Sequence, residues 1–324
     1  MPQPTNTVLT LRPDLAGAME EFPAEMASLG LIAYEACPIV NVGVQADQFA
    51  KIPIETYLQQ QKTQRMSNGN YSRDDFDFEM DQFSTVEHGL EGIVDDRDAK
   101  RYANFFDAEL IQVRRKRLQI AMAAEKRVAD LLFNAGTFSG QTTGVTNEWD
   151  DFANATPVTD VELAAQAFYN KTGLWPNRLI MGRKPFRNLR NCAQIVSRIS
   201  SLGAGDRSLA TDINAEKLAQ VFDIQKVLVG GMATNTANKG LAASIASIWS
   251  DEYALLAYID ESPDIEAPSL CKTFHWTEDG SVLGGLIESY REEAQRRTIV
   301  RVRHETHEKI TMPTLGWLLS NITT

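Results

Sequence analysis

The residues of this chain best suited to chemistry are those of His304-Glu305-Thr306-His307-Glu308. Histidines flanked by carboxylates are the donor set of a zinc hydrolase, whose HExxH helix places both imidazoles on one face, four residues apart. Here the histidines are three apart. The surrounding alternation, Val300, Val302 and His304 against Arg301, Arg303 and Glu305, reads as a strand, where positions three apart face opposite ways. That spacing argues against a metal site. Gly230-Gly231 and Gly240 follow the apolar run Val227-Leu228-Val229, as a phosphate loop would, but neither GxGxxG nor GxxxxGK[ST] is present and a turn is expected. There is no GxSxG, no cysteine–histidine pair singled out by spacing, and no carboxylate pair set apart as acid and base. The sequence supplies no catalytic set, cofactor site or metal site.

Charge is more informative. The formal net charge is −11, from 32 Lys and Arg against 43 Asp and Glu. Dedicated nucleic-acid binding relies on a basic face, so this balance argues against it. The charges are unevenly spread. Asp74, Asp75, Asp77, Glu79 and Asp81 form an acidic segment; Arg114-Arg115-Lys116-Arg117 and Arg291, Arg296, Arg297, Arg301 and Arg303 form basic ones. Each cluster alone reads as a solvated face. Together they are complementary between copies of the chain, which makes them candidate inter-subunit contacts.

The elements that must position these charges begin with a hairpin. Ile52, Ile54, Thr56 and Leu58 alternate along the first arm, and Phe76, Phe78 and Met80 along the second, with turn chemistry at Ser67-Asn68-Gly69-Asn70 between them. From Asp95 the period becomes helical: Tyr102, Phe105/Phe106, Leu110, Val113, Ile120, Ala124, Val128 and Leu131/Leu132, with no Pro or Gly between Ile93 and Ala135. This predicts a single rod of about 38 residues, roughly 57 Å long. A protruding hairpin beside such a rod suits a protein that reaches its neighbours.

The remaining elements are mixed. Residues 1–46 carry Pro2, Pro4, Pro13, Pro23 and Pro38 and read as an irregular arm, and residues 134–147 as a turn region. Helices are expected at 160–172, ended by Gly173, from Pro185 to Ile199 with a break at 203–205, and at 214–222. Strands are expected at 179–181, 226–229, 245–248, 253–259 and 297–305, with Leu315-Gly316-Trp317-Leu318-Leu319 after Pro313. Composition, 43% hydrophobic and 23% charged, is that of a globular protein with a real core. No apolar run approaches a membrane span, and the N-terminus lacks a secretory pattern. Cys37, Cys192 and Cys271 have no metal-like spacing and are expected as reduced, buried thiols.

The order of these parts resembles the major capsid proteins of tailed bacteriophages of the HK97-fold type. The stretches that carry the resemblance are Ala99-Lys100-Arg101-Tyr102 through Phe133-Asn134, Thr172-Gly173-Leu174-Trp175-Pro176-Asn177-Arg178, Ile248-Trp249-Ser250-Asp251, and Arg301-Val302-Arg303-His304-Glu305 leading to Trp317-Leu318-Leu319-Ser320-Asn321. The resemblance implies an α+β fold with an N-terminal arm at 1–46, an extended hairpin loop at 47–92 and a peripheral domain with a spine helix at 93–139. A mixed α/β axial domain at 140–285 and a peripheral return strand at 286–324 complete it.

It further implies a structural role, not an enzyme, without cofactor. Copies would gather as hexamers and pentamers and close into an icosahedral shell around double-stranded DNA held without sequence-specific binding. Assembly would take place in the host bacterial cytoplasm and the product would be the virion. The chain begins at Met1 with a short arm, so scaffolding is expected from a separate protein, beside a portal and possible decoration proteins. Some such proteins cross-link a loop lysine to a neighbour's asparagine; Lys62 and Asn321 lie in comparable places without a supporting motif. An encapsulin-like nanocompartment shares the implied fold and is the alternative, separated by content: DNA and a portal, or cargo protein and none.

Overall fold

The computed structural model describes residues 10–11, 30–61, 63–71, 73, 78–102, 107–201, 213–238, 240–277 and 285–323. In chain order the first elements are β1 (Thr10–Leu11), α1 (Ala33–Ala36), β2 (Ile39–Val42), β3 (Ala46–Lys51) and α2 (Ile54–Tyr57). Then come β4 (Glu79–Ser84), β5 (Val86–Asp95), α3 (Asp96–Tyr102), α4 (Ala108–Leu132), β6 (Thr142–Gly144), α5 (Pro157–Thr172) and β7 (Arg178–Gly182). The second half holds α6 (Arg183–Leu189), α7 (Ala193–Ser201), α8 (Ala215–Phe222), β8 (Lys226–Gly230), β9 (Ala233–Asn235), β10 (Ile245–Ser247) and β11 (Tyr253–Ala257). β12 (Cys271–Trp276), β13 (Leu286–Glu292), β14 (Arg297–Ile310) and β15 (Gly316–Ser320) end it.

Two sheets organise these elements. The first runs β1-β13-β14-β12-β2, with β5 also paired to β14. Its axis is β14, whose 14 residues pair with β13 from Arg297 to Arg303, with β12 from Thr306 to Ile310, and with β5 from Arg297 to Thr306. The second sheet runs β6-β15-β11-β7-β8 and packs against α5, α7 and α8 around Trp149, Val161, Leu179, Ile195, Leu218 and Leu256. The two sheets exchange strands across the expected domain boundaries. β12, within 140–285, joins the first sheet, and β15, within 286–324, joins the second because a turn at Pro313–Leu315 carries the chain from β14 to the edge of β11.

The long rod is a correction. The expected 38-residue helix is two: α3, and α4 of 25 residues, about 37 Å. The chain turns at Asp107, which has extended φ/ψ and accepts hydrogen bonds from the Glu109 and Leu110 amides. An aspartate that satisfies first-turn donors starts a helix as firmly as a proline ends one, and a search for Pro and Gly alone overlooks it. The apolar stripe of α4 holds: Val113, Ile120, Ala124, Val128 and Leu132 are buried. Val113 and Ile120 pack on Ile287, Val300 and Val302 of β13 and β14. Phe105 and Phe106 lie outside the described residues.

The hairpin is also placed differently. Its paired arms are β3 and β4, running from Ala46↔Ser84 to Lys51↔Glu79, not 51–58 against 75–81. Pro53 ends the ladder, since proline has no N–H to donate, and its fixed φ starts the helical turn α2. β5 escaped the sequence reading because Gly89 and Gly92 interrupt its alternation. A Cβ on Gly92 would lie 3.1 Å from the Gln112 Cβ, so the glycine lets α4 cross the strand closely.

The expected irregular arm 1–46 contains β1, α1 and β2 among its described residues. The helix expected from Pro185 to Ile199 is α6 and α7, parted at Arg190–Cys192, and α5 begins at Pro157 rather than Asp160. The break expected at 203–205 lies outside the described residues. The cysteine expectation is overturned for two of three. β2 and β12 pair in parallel, Thr273↔Ile39, which brings Cys37 and Cys271 to a Cα–Cα distance of 4.9 Å as a disulfide. Cys192 alone is free and buried.

Candidate functional site

The hairpin leaves the first sheet through an aromatic root. Phe49 of β3, Phe83 of β4 and Phe274 of β12 are all buried, with Phe83 stacked on Phe274 at 4.6 Å and Phe49 tilted against it at 5.4 Å. Val40 and Val42 complete the cluster. Three rings from three strands fix the direction in which the arm departs. None was singled out in the sequence, because Phe83 falls in phase with Glu79 and Asp81 and out of phase with the apolar run Phe76, Phe78 and Met80. Polar contacts finish the root: Lys309 reaches Asp81, Lys51 lies 3.3 Å from Glu79 and 3.8 Å from Asp81, and the Ser84 amide donates to His307 Nδ1. Burial pushes the Asp81 carboxyl up, but Lys309, the Gln82 amide and Lys51 together hold it below its ordinary pKa.

Beyond the root, the large apolar side chains described in the arm are mostly exposed. Met66 is 83% and Tyr71 70% exposed, and Leu58, Phe78 and Met80 are more than half exposed. The tip is ordered locally: Asn68 takes a positive φ, Arg65 donates to the Gly69 carbonyl, and its guanidinium covers the Tyr71 ring at 4.7 Å. At the arm's outgoing side Leu58 packs on Gly173 at the end of α5, where a Cβ would sit 2.5 Å from Leu58 Cδ1.

The sequence-selected charges divide into three groups. Asp74, Asp75 and Asp77 lie outside the described residues, and Glu79 and Asp81 are paired at the root as above. The arginines of β14 are engaged within the chain. Arg297 meets Glu292 at 2.5 Å, Arg301 meets Glu91 at 2.8 Å and Glu288 at 3.7 Å, and Arg303 meets Glu288 at 3.0 Å and Glu87 at 3.7 Å. Arg291 likewise bridges Asp96 and Glu293. Glu288 is shared by two arginines, so this is a cross-strand network rather than a set of isolated pairs. On α4, Arg114 and Arg115 are exposed, Lys116 bonds Gln119 at 3.2 Å, and Arg117 is 2% exposed and unavailable to a partner.

A second hub joins the two sheets. The Glu125 carboxylate of α4, fully buried, accepts from the Ile32 and Ala33 amides at 3.0 and 2.8 Å and from Trp249 Nε1 at 2.6 Å. It thereby holds together the start of α1, the spine and Trp249, which lies in the bend between β10 and β11. Burial raises its pKa, and its three donors oppose that shift. Among the described residues no group of three or more His, Cys, Asp or Glu could hold a metal, and no helix is long and apolar enough to cross a membrane.

No family model matches the chain. Over 200 residues it is 25% identical to the major capsid protein of Burkholderia phage BcepMu, a match spanning 60% of this chain and 61% of that one. A phage-related protein of Bordetella bronchiseptica RB50 superposes with a TM-score of 0.70 at 19% identity, covering 97% of this chain and 98% of that one. The capsid of cyanophage P-SCSP1u gives 0.57 at 8% identity, over 88% and 86%, and that of the myovirus XM1 0.53 at 9%, over 90% and 92%. The architecture is therefore one that this chain shares with phage capsid subunits. Specifically, the chain has the HK97-type fold of phage capsids, and in sequence it resembles a phage major capsid protein.

Proposed function

We propose that this chain is the major head protein of a tailed bacteriophage, whose copies assemble as hexamers and pentamers into an icosahedral shell around double-stranded DNA. The observation that carries the reading is the arm: rooted by Phe49, Phe83 and Phe274, it leaves Met66, Tyr71, Phe78 and Met80 each more than half exposed to solvent. A two-stranded ribbon is marginal alone, and exposed apolar surface of this extent marks a partner site. A neighbouring copy is the partner. The role is structural; scaffolding and portal proteins act alongside it during assembly in the host cytoplasm.

Within that reading, the acidic segment Asp74–Asp81 docks against the basic run of a neighbour's spine, where Arg114 and Arg115 are exposed and Lys116 is half-buried. The alternative receivers, Arg297, Arg301 and Arg303, already have carboxylate partners in their own chain. Electron microscopy of the chain expressed with its neighbouring genes tests the function. Closed shells holding DNA with a portal at one vertex support it. Shells holding cargo protein and no portal indicate an encapsulin-like compartment instead, and persistent monomers refute both. Reversing Asp74, Asp75 and Asp77 to lysine tests the docking: a folded subunit that fails to close shells is expected, and normal shells would rule the contact out.

A further inference from the structure

The parallel strands β7 and β8 end side by side, and outside their carboxyl ends lies a pocket of about 530 Å3. Crevices in this position of an α/β sheet are common ligand sites. Arg183, Lys184 and Arg187 line it against one carboxylate, Asp251, a local excess of two positive charges on a chain of net −11. Lys184 is coupled to Asp251, lowering the pKa of a carboxyl that burial raises more strongly. Arg183 and Arg187 form no ion pair among the described residues, unlike Arg127, Arg178, Arg198, Arg291, Arg297, Arg301 and Arg303, which all do. Asn188 also lines the pocket, and its Nδ2 is buried without a hydrogen-bond partner. A buried donor left unmade costs about 1–3 kcal/mol. Two unpaired guanidinium forks beside an unanswered amide ask for an oxyanion.

We propose that this pocket binds a phosphate group, held by Arg183 and Arg187. Arginine's planar fork matches phosphate oxygens two at a time, which a carboxylate-lined surface site does not require. Recognition comes from side chains and not from the adjacent glycines. The Gly231 amide is spent on the Gly30 carbonyl at 2.9 Å, and a Cβ on Gly230 would fall 2.1 Å from Trp249. Arg183 lies beside the end of β8, its Nη1 within ordinary contact distance, 3.4 Å, of where a Cβ on Gly231 would stand. Inorganic phosphate and the backbone of packaged DNA offer the same group. The DNA source rests on the function proposed above; the site itself does not.

The test uses the full chain, titrated with inorganic phosphate at ionic strength fixed with chloride and read by calorimetry and thermal unfolding. Saturable heat and a raised unfolding temperature are expected. The double variant Arg183→Gln/Arg187→Gln should weaken binding about tenfold or more. Asp251→Asn should tighten it, and Arg198→Gln, which does not line the pocket, should leave it unchanged. A response that chloride reproduces, or one the double variant keeps, overturns the proposal. So does a glutamate-rich peptide that competes as well as phosphate, since the pocket would then be a carboxylate receiver. A second arm titrates a short DNA duplex. Binding with a salt slope reduced by about two in the double variant assigns the group to DNA. Phosphate binding without duplex binding keeps the site and assigns it to the free ion. Shells formed by the double variant, seen by microscopy, would separate failure here from failure of the capsid reading.

Discussion

All four histidines of the chain lie on three adjacent strands: His88 on β5, His304 and His307 on β14, and His275 on β12. His304 stands opposite His88 in the ladder, ring centroids 6.0 Å apart and edge to face. It is 1% exposed, and neither ring nitrogen has a hydrogen-bond partner. Burial, with His88 and Arg127 nearby, brings its pKa down to about 4. Burial is also the largest cause of the lowered pKa values of His88, His275 and His307. An unfolded histidine titrates near 6.5, so between 6.5 and 4 the unfolded chain takes a proton that the folded chain refuses at His304.

Stability is therefore full above pH 6.5, falls as pH falls through that window, and levels off below 4. A gap of about 2.5 units at about 1.36 kcal/mol each amounts to roughly 3 kcal/mol from this residue alone. The perturbation is His304→Leu, of similar volume and unable to titrate. Urea unfolding followed by tryptophan fluorescence, repeated from about pH 7 to about pH 4, gives the two stability profiles. The wild-type chain should lose roughly 3 kcal/mol more than the variant across the window. Carboxylates that also shift, such as Glu125, Asp160 and Asp251 with raised pKa values, are present in both proteins and cancel in the difference. Burial pushes the Glu308 carboxyl up, but Arg127 and Thr306 more than offset it, so its contribution disappears only as pH falls below the unfolded value of 4.5. Parallel profiles for the two proteins would refute the assignment.

Phe83→Ala should cost about 3–5 kcal/mol by opening a cavity against Phe49 and Phe274, with increased proteolysis in the arm before the rest of the chain; unchanged urea unfolding would show that the ring stack does not hold the root. Glu125→Ala orphans the Ile32, Ala33 and Trp249 donors and should cost about 3 kcal/mol or more, read by the same unfolding and by faster amide exchange at Ile32 and Ala33. Alkylation without reduction, followed by peptide mass mapping, should label Cys192 only after unfolding and recover Cys37 linked to Cys271; label on both of those residues in unfolded, unreduced protein would contradict the bridge. Removing that bridge by Cys271→Ser should lower stability by about 2–5 kcal/mol, the range for a native disulfide closing a long loop.

Much of the fold was legible because it is local. The α4 stripe, the helix ended by Gly173, whose φ of 70° suits a residue without Cβ, and the alternation of Val300 and Val302 all follow from periods of 3.6 or 2. What was hidden depends on distant partners. β12 is buried along nearly its whole length, with Lys272 and His275 inside, so no alternation marks it. Its partner β2 lies more than 200 residues away, and the disulfide closes across a separation of 234. The charged candidates show the same limit. The arginines of β14 stand out in the sequence as a cluster, but Glu87, Glu91 and Glu288, which occupy them, come from β5 and β13 and are brought together only by the sheet register.

For the shell proposed above, that internal pairing bears on reversible closure. The sheet spends its arginines on its own glutamates and the root spends its aromatics on one another, so the arm's direction is set before any neighbour arrives. What remains for the neighbour is a short list of apolar side chains, Leu58, Met66, Tyr71, Phe78 and Met80, and a few surface charges. Fully burying a large apolar side chain is worth about 1.5–3 kcal/mol, and those already partly covered return less, while exposed ion pairs add about 0–1 kcal/mol each. Ordering the arm against its partner subtracts from both. Each arm contact is consequently weak enough to break and re-form while a misplaced subunit is corrected. In the shell proposed above, persistence would come from each subunit being held at several such contacts at once, so that release requires all of them to open together.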